Sequence, residues 1–156
     1  MKYKQFTKEQ LEGLHEEFAV FLASQQIEKK EWEDIKKNKP EVAEEELNIF
    51  SDLVWGKVLD NTNYIEHFSD TSLNLFKCGD YQMQRIVVKV NKEGVDLLKQ
   101  EGFNWFLDHS NDETIEYLKG QKKYDKERNI EIFDLIQKGG IISKGELFEG
   151  ILKIIQ

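Results

Sequence analysis

Apolar residues recur at three- and four-residue steps between Pro40 and Leu59, which predicts one long helix. Pro40 suits its first turn, where the missing N–H would be unpaired in any case. One apolar stripe comprises Ala43, Leu47, Phe50, Val54 and Val58. Val42, Ile49 and Leu53 widen this stripe, so the pattern predicts a helix that packs on more than one side.

The residues before this helix predict two further helices. Thr7 and Gln10 form a T-x-x-Q capping box, and the apolar positions behind it predict one helix that runs to about Ser24. A short helix follows over Lys29–Lys37. It ends before Pro40, because proline disfavours helical geometry in the residue that precedes it.

The middle of the chain changes from a helical to an alternating pattern and predicts a small antiparallel sheet. Three short runs are rich in β-branched and aromatic residues: Tyr64–Ser69, Ser72–Cys78 and Gln82–Val90. Gly79 and Asp80 suit a hairpin turn between the last two. Met83 is out of phase with Ile86, which predicts a bulge near Gln84 or Arg85.

Helical patterns return after the sheet. We expect a helix over 93–100 that Gly102 breaks, and then an edge strand or a buried turn over Phe103–Leu107. An S-x-x-E box at Ser110 predicts a helix toward Leu118.

Two more helices are predicted at the end of the chain. The first covers Ile130–Gln137 and is capped by the glycines at 139 and 140; the second opens at the S-x-x-E box of Ser143. The whole pattern predicts an α+β fold with N-terminal helices, a small antiparallel sheet and C-terminal helices. We expect these elements to surround a single core in one domain, residues 1–156.

The charge and the cysteine content limit the partners and the location that we expect for the protein. The net charge of −8 is repulsive toward nucleic acid and anionic membranes, so neither is an expected partner. Cys78 is the only cysteine, which fits a reducing cytosol. The first residues lack the apolar region of a signal peptide, and no apolar run is long enough to span a membrane. These features predict a cytoplasmic protein.

Three residues are weak candidates for catalysis. His15 follows Glu12 in an E-x-x-H spacing, but the second such motif of a di-iron bundle is missing, so no metal site is predicted. His67 and Cys78 both lie in the predicted sheet and could pair as base and nucleophile. No distinctive carboxylate completes that pair, and no cofactor motif is present.

Two other segments could bind a partner. The stretch Lys119–Arg128 carries five basic and two acidic side chains, so it could bind a phosphate-bearing ligand or an acidic protein. A solvated loop is the simpler interpretation of this stretch. Trp105 and Phe106 are consecutive, and in an extended segment one of them would face outward as an anchor for another protein.

The chain also resembles an uncharacterised family of bacterial proteins of about this size. The resemblance rests on these segments: 6–11 (FTKEQL), 40–43 (PEVA), 50–55 (FSDLVW), 64–69 (YIEHFS), 132–136 (IFDLI) and 139–147 (GGIISKGEL). It implies a free-standing bacterial cytoplasmic protein. That family has no established activity, cofactor or catalytic residue, so the resemblance assigns no site.

Two functional hypotheses follow from the sequence. The first is a non-catalytic interaction module whose partner is another protein, supported by the negative charge and by Trp105 and Phe106. The second is a small enzyme or ligand-binding protein that uses a pocket formed by a histidine and carboxylates. The sequence favours the first, since it contains no assembled catalytic motif, and it leaves the oligomeric state open.

Overall fold

Four helices make up residues 1–60 in the computed structural model, which describes every residue of the chain. They are α1 (Lys8–Gly13), α2 (His15–Ser24), α3 (Lys29–Asn38) and α4 (Pro40–Asp60). Residues 1–60 form one compact unit and residues 61–156 form a second. The organisation of the chain as one domain stays a prediction.

The start of the first helix is confirmed, but its length is wrong. Thr7 accepts a hydrogen bond from the Gln10 N–H, and the Gln10 side chain accepts one from the Thr7 N–H, so the capping box is complete. The predicted single helix is two, because Leu14 leaves helical geometry with φ −107° and ψ 20°. α2 then begins at His15.

Aromatic rings form the core of residues 1–60. The Phe18 ring lies 5.1 Å from Trp32 and 5.0 Å from Phe50, both edge-on, and Phe21 lies 5.4 Å from Phe50. These centroid distances are in the favourable range for aromatic pairs. They connect α2, α3 and α4 through one buried cluster.

The boundaries predicted for the long helix are confirmed, but its predicted wide apolar face is wrong. Ala43 and Phe50 are buried, as the stripe requires. Val42, Ile49 and Leu53 are exposed, with 36%, 41% and 59% of their surfaces accessible. Val58 of the stripe is also exposed, at 39%, so α4 buries only part of its stripe and leaves four apolar side chains in solvent.

Residues 61–156 contain a five-stranded antiparallel sheet with the order β4-β3-β2-β1-β5. Its strands are β1 (Tyr64–Phe68), β2 (Ser72–Cys78), β3 (Gln82–Val90), β4 (Ile115–Lys123) and β5 (Ile141–Ser143). The three predicted strands and the turn at Gly79 are confirmed, since the Gly79 N–H donates to Gln82 O. β4 and β5 were not predicted.

The predicted bulge in β3 is wrong. Pairing of β3 with β2 is continuous from Ser72–Lys89 to Cys78–Met83, without an extra residue. Met83 and Ile86 are out of phase because they face opposite sides of the sheet, and both are buried there. The sheet is therefore covered on both faces at this end, which removes the need for a bulge.

One face of the sheet packs against α5 (Gln100–Asp108) and α7 (Glu146–Ile155). The core on this side comprises Leu73, Leu75, Ile86, Val88, Val90, Leu97, Phe106, Phe148 and Ile151. Phe148 and Ile151 of α7 are buried in this core.

Two predictions between the sheet and α5 are wrong. Residues 93–99 form turns instead of the predicted helix, and the segment predicted as a strand or turn, Phe103–Leu107, lies within helix α5. Gly102 does not break this helix. A Cβ on Gly102 would lie 2.0 Å from Asp96 O, so this glycine permits a close contact between the helix and the preceding turn.

The S-x-x-E boxes of the C-terminal half form no helix caps. No helix follows Ser110: Asp112 accepts hydrogen bonds from Thr114 in a tight turn, and β4 begins at Ile115. Ser143 belongs to β5, and α7 is preceded instead by Gly145 with φ 83°. Serine and aspartate favour tight turns as well as helix N-caps, so a Ser-x-x-Glu pattern also occurs where no helix begins.

Helix α6 (Arg128–Gln137) lies on the other face of the sheet and ends as predicted. The Gly139 N–H donates to Ile136 O and the Gly140 N–H to Leu135 O, which is the Schellman pattern, with Gly139 at φ 105°. The α+β fold with a central sheet is thereby confirmed. None of the seven helices has both the length and the apolar composition of a membrane-spanning segment.

Candidate functional site

A groove with a volume of about 810 Å³ lies between α6 and the sheet face turned away from α5 and α7. Its floor consists of side chains that the strand register places in rows, with directly opposite neighbours about 5 Å apart. One row runs His67, Asn74, Val87 and Leu118; the next runs Ile65, Phe76, Arg85 and Gly120. The floor is therefore mostly apolar, with polar groups at defined positions.

Helix α6 forms one wall of the groove. Glu131, Asp134, Leu135 and Lys138 follow helical spacing and face the groove together. Lys122 Nζ lies 3.2 Å from Glu131 Oε1, and Lys126 Nζ lies 3.2 Å from Asp134 Oδ2. These ion pairs neutralise the acidic side chains of the wall.

Arg85, Lys119 and Lys138 are the basic residues of the groove that form no ion pair, and the strand register turns the Lys119 side chain to the opposite face of the sheet. The Arg85 guanidinium donates a hydrogen bond to Asn74 Oδ1 and lies 5.5 Å from the centroid of the Phe76 ring. This arrangement holds the guanidinium over an aromatic side chain while leaving other N–H donors unused. Arg85 can therefore receive an anion beside an aromatic surface.

Gly120 leaves space in the groove next to Arg85. It lies inside strand β4 with no positive φ, and a Cβ built there would meet no atom within 4 Å. Neither a turn nor internal packing therefore requires glycine. A glycine inside a strand often marks a place where a ligand approaches the backbone closely.

His67 lines one end of the groove but is not paired with a carboxylate. A Cβ on Gly139 would lie 3.3 Å from His67 Nε2, so the glycine that ends α6 gives the imidazole its space. The acidic residues of the groove are Asp125, Glu131 and Asp134. No hydrogen bond or ion pair joins His67 to any of them.

The structure does not bring Cys78 to His67. His67 pairs with Asn74, and Cys78 lies four residues further along β2, about 13 Å away at the usual strand rise. Cys78 is buried, and this burial raises the pKa of its thiol to about 11, although the nearby Arg128 charge opposes the rise. Such a thiol is protonated at neutral pH and is a poor nucleophile.

Burial of the Cys78 thiol predicts a loss of stability at alkaline pH. The fold favours the protonated Cys78 thiol, so its contribution is complete below the ordinary pKa of 9.0 and is lost as pH rises toward about 11. The slope is at most about 1.4 kcal/mol per pH unit. Urea unfolding at about pH 8, 9 and 10 measures it.

Cys78→Ala is the matched control for this prediction. Between about pH 9 and 10 its stability should fall less steeply than that of the wild type, because the lysines titrate alike in both proteins. Burial also raises the pKa of Tyr124 to about 12, so its own contribution is lost only at higher pH. Equal slopes for the two proteins would contradict the assignment to Cys78.

The other predicted site residues lie outside the groove. His15 is exposed at the start of α2, where its Nδ1 lies 2.9 Å from Glu12 O. Trp105 is half-buried and stacks on His109 with 4.7 Å between ring centroids. Phe106 is 1% exposed and lies in the core, so it offers no surface to a partner.

Sequence reasoning missed most of the groove. Asn74, Phe76, Arg85 and Gly120 were not singled out, since each comes from a different position in the sheet. Gly120 did lie within the basic stretch, and a strand-interior glycine was the available signal. No group of three or more histidine, cysteine, aspartate or glutamate side chains is arranged to hold a metal ion.

Comparison with known proteins gives one match. The model of a family of unknown function, DUF6495, covers residues 1–156. No curated protein and no solved structure matches the chain.

Proposed function

We propose a function from the groove itself, because the chain belongs to DUF6495, a family of unknown function, and no activity transfers to it. The proposed function is the binding of a small amphipathic anion with a flat apolar body. Its apolar body would lie on Phe76, Val87 and Leu118, and its anionic group would meet Arg85.

One observation carries this proposal: the groove is positively charged in a negatively charged chain. Five basic and three acidic residues line it, a net charge of +2, whereas the whole chain carries −8. The net charge of the groove stays positive when Lys119 is left out, whose side chain points to the opposite face of the sheet. Anions are therefore favoured in this groove, although the net charge of the whole chain repels them.

The size of the groove agrees with this assignment. Its volume of about 810 Å³ lies within the range of small-molecule sites, which are mostly apolar with a few convergent polar groups. Binding is favoured over catalysis because His67 lacks a carboxylate partner and the pKa of Cys78 is raised to about 11. The proposed location remains the bacterial cytoplasm.

NMR titration with 2-naphthoate tests the proposal, and neutral 2-naphthamide serves as its isostere. At about 0.3 kcal/mol per heavy atom, we expect 2-naphthoate to bind with a Kd of about 1 mM or tighter. The amide should bind roughly tenfold more weakly, because it loses a charge-assisted hydrogen bond to Arg85. Equal affinities for the two compounds would contradict an anion site.

A pair of variants assigns the effect to the groove. Arg85→Gln should abolish the preference for 2-naphthoate over the amide. Lys89→Gln removes the same charge from the same face of β3 but lies outside the groove, so it should keep the preference. A loss of preference in both variants would show that the overall charge, rather than the site, governs binding.

A protein-interaction role is the second candidate function. The anchor proposed from the sequence loses one of its two residues, because Phe106 is buried. A different feature, the exposed edge strand β4, supports an interaction role.

A further inference from the structure

We infer that the outer edge of β4 binds an extended acidic segment of another protein as an additional strand of the sheet. β4 is the terminal strand of the order β4-β3-β2-β1-β5, so only one of its sides is paired. Its residues from Leu118 to Lys123 are all exposed. Strand addition of this kind gains main-chain hydrogen bonds along the edge.

The alternation of hydrogen bonds between β4 and β3 shows which backbone groups of β4 point outward. The Asn91 N–H donates to Thr114 O just before β4, and bonding positions alternate along an antiparallel strand. Even-numbered residues of β4 therefore bond to β3. The N–H and C=O groups of Tyr117, Lys119, Gln121 and Lys123 point away from the sheet, over an edge about 20 Å long.

This edge is regular enough to pair. Register with β3 is continuous from Gln82–Lys123 to Val90–Ile115, so no bulge turns the edge away. β4 contains no proline, and no side chain is present at Gly120 to hinder an approaching strand. The usual devices that block edge pairing are absent, apart from the lysines.

The lysines specify the chemistry of the partner. β4 carries Lys119, Lys122 and Lys123 against one acidic residue, Glu116. Lys122 is paired with Asp125 and Glu131, whereas Lys119 and Lys123 form no ion pair and lie on one face of the strand. A partner strand with acidic residues on that face fits both. A second copy of this chain fits less well, because its β4 would bring lysines near lysines.

Binding of a capped octapeptide in which glutamate alternates with valine or threonine tests this inference. We expect saturable binding, at least about tenfold tighter than for the same peptide with lysine in place of glutamate. In hydrogen exchange, the amides of Tyr117, Lys119, Gln121 and Lys123 should become protected when the peptide is added. Absence of binding, or protection elsewhere, would mean that the lysines only guard the edge and would overturn the inference.

Two variants separate strand addition from simple charge attraction. Gln121→Pro removes an outward N–H and no charge, without breaking a bond to β3, and edge strands tolerate proline at such positions. It should weaken peptide binding about tenfold. The double variant Lys119→Glu with Lys123→Glu keeps every backbone donor and should reverse the preference between the two peptides. Unchanged binding by both variants would overturn the inference, as would edge protection that depends on protein concentration without peptide.

Discussion

Phe106→Ala is expected to lower the free energy of unfolding by about 3–5 kcal/mol, the usual cost of removing a buried phenylalanine ring. The Phe106 side chain is 1% exposed and lies in the core between the sheet and α5. Its loss would leave a cavity that the surrounding strands cannot fill, because protein cores are close-packed. Urea unfolding followed by circular dichroism measures the change.

Trp105→Ala is the matched control, since it removes a neighbouring aromatic side chain of the same helix. Trp105 is half-buried and stacks on His109, so we expect a loss of about 1–2 kcal/mol. If Phe106 were instead a surface anchor for a partner, Phe106→Ala would leave the stability nearly unchanged. That result would contradict the core position of this residue.

Gly120→Val is expected to weaken the binding of 2-naphthoate at least about tenfold, which corresponds to about 1.4 kcal/mol. The added side chain would occupy the space beside Arg85 and Phe76, the next residues in the same row of the sheet. Folding should not suffer, because a Cβ at this position meets no atom within 4 Å. A β-branched residue also suits a strand better than glycine.

In Gly120→Val, stability and binding should not fall together. Gly120→Val should be as stable as the wild type or slightly more stable, by up to about 1 kcal/mol. Gly120→Ala, with one methyl group, should weaken binding to an intermediate degree. A variant that remains folded and binds 2-naphthoate as well as the wild type would remove Gly120 from the site.

The parts of the fold that could be predicted have a periodic pattern of their own. α4 has a regular stripe with Pro40 at its start, and β1 to β3 are short runs between turn residues. β4 was missed because its residues from Leu118 to Lys123 are all exposed at the sheet edge, so most of the strand shows no alternation. β5 has only three residues, which is too few for a pattern.

The errors have a common physical cause, which is that tertiary packing overrides local signals. Gly102 reads as a helix breaker but is required where α5 touches Asp96. Met83 is out of phase with Ile86 and suggests a bulge, but it packs on the second face of a sheet that is covered on both sides. Neither contact can be predicted from the local pattern, since each depends on residues that become neighbours only in the folded chain.

The groove was less predictable than the fold. Among the five candidate site residues named one by one from the sequence, only His67 lines it. Its other polar groups come from β2, β3, β4 and α6, and only the strand register brings Asn74, Arg85 and Gly120 together. The basic stretch 119–128 pointed to the right part of the chain, because it contains the edge of β4 and the start of α6.

The most direct test of the proposed function is to observe where 2-naphthoate lies on the protein. Isotope-filtered NOE spectra should show contacts from its ring protons to the methyl groups of Val87 and Leu118, on the floor of the groove. Contacts confined to exposed apolar residues of the other unit, such as Val20 or Leu53, would contradict the proposal. That result would indicate nonspecific association with apolar surface instead of a binding site.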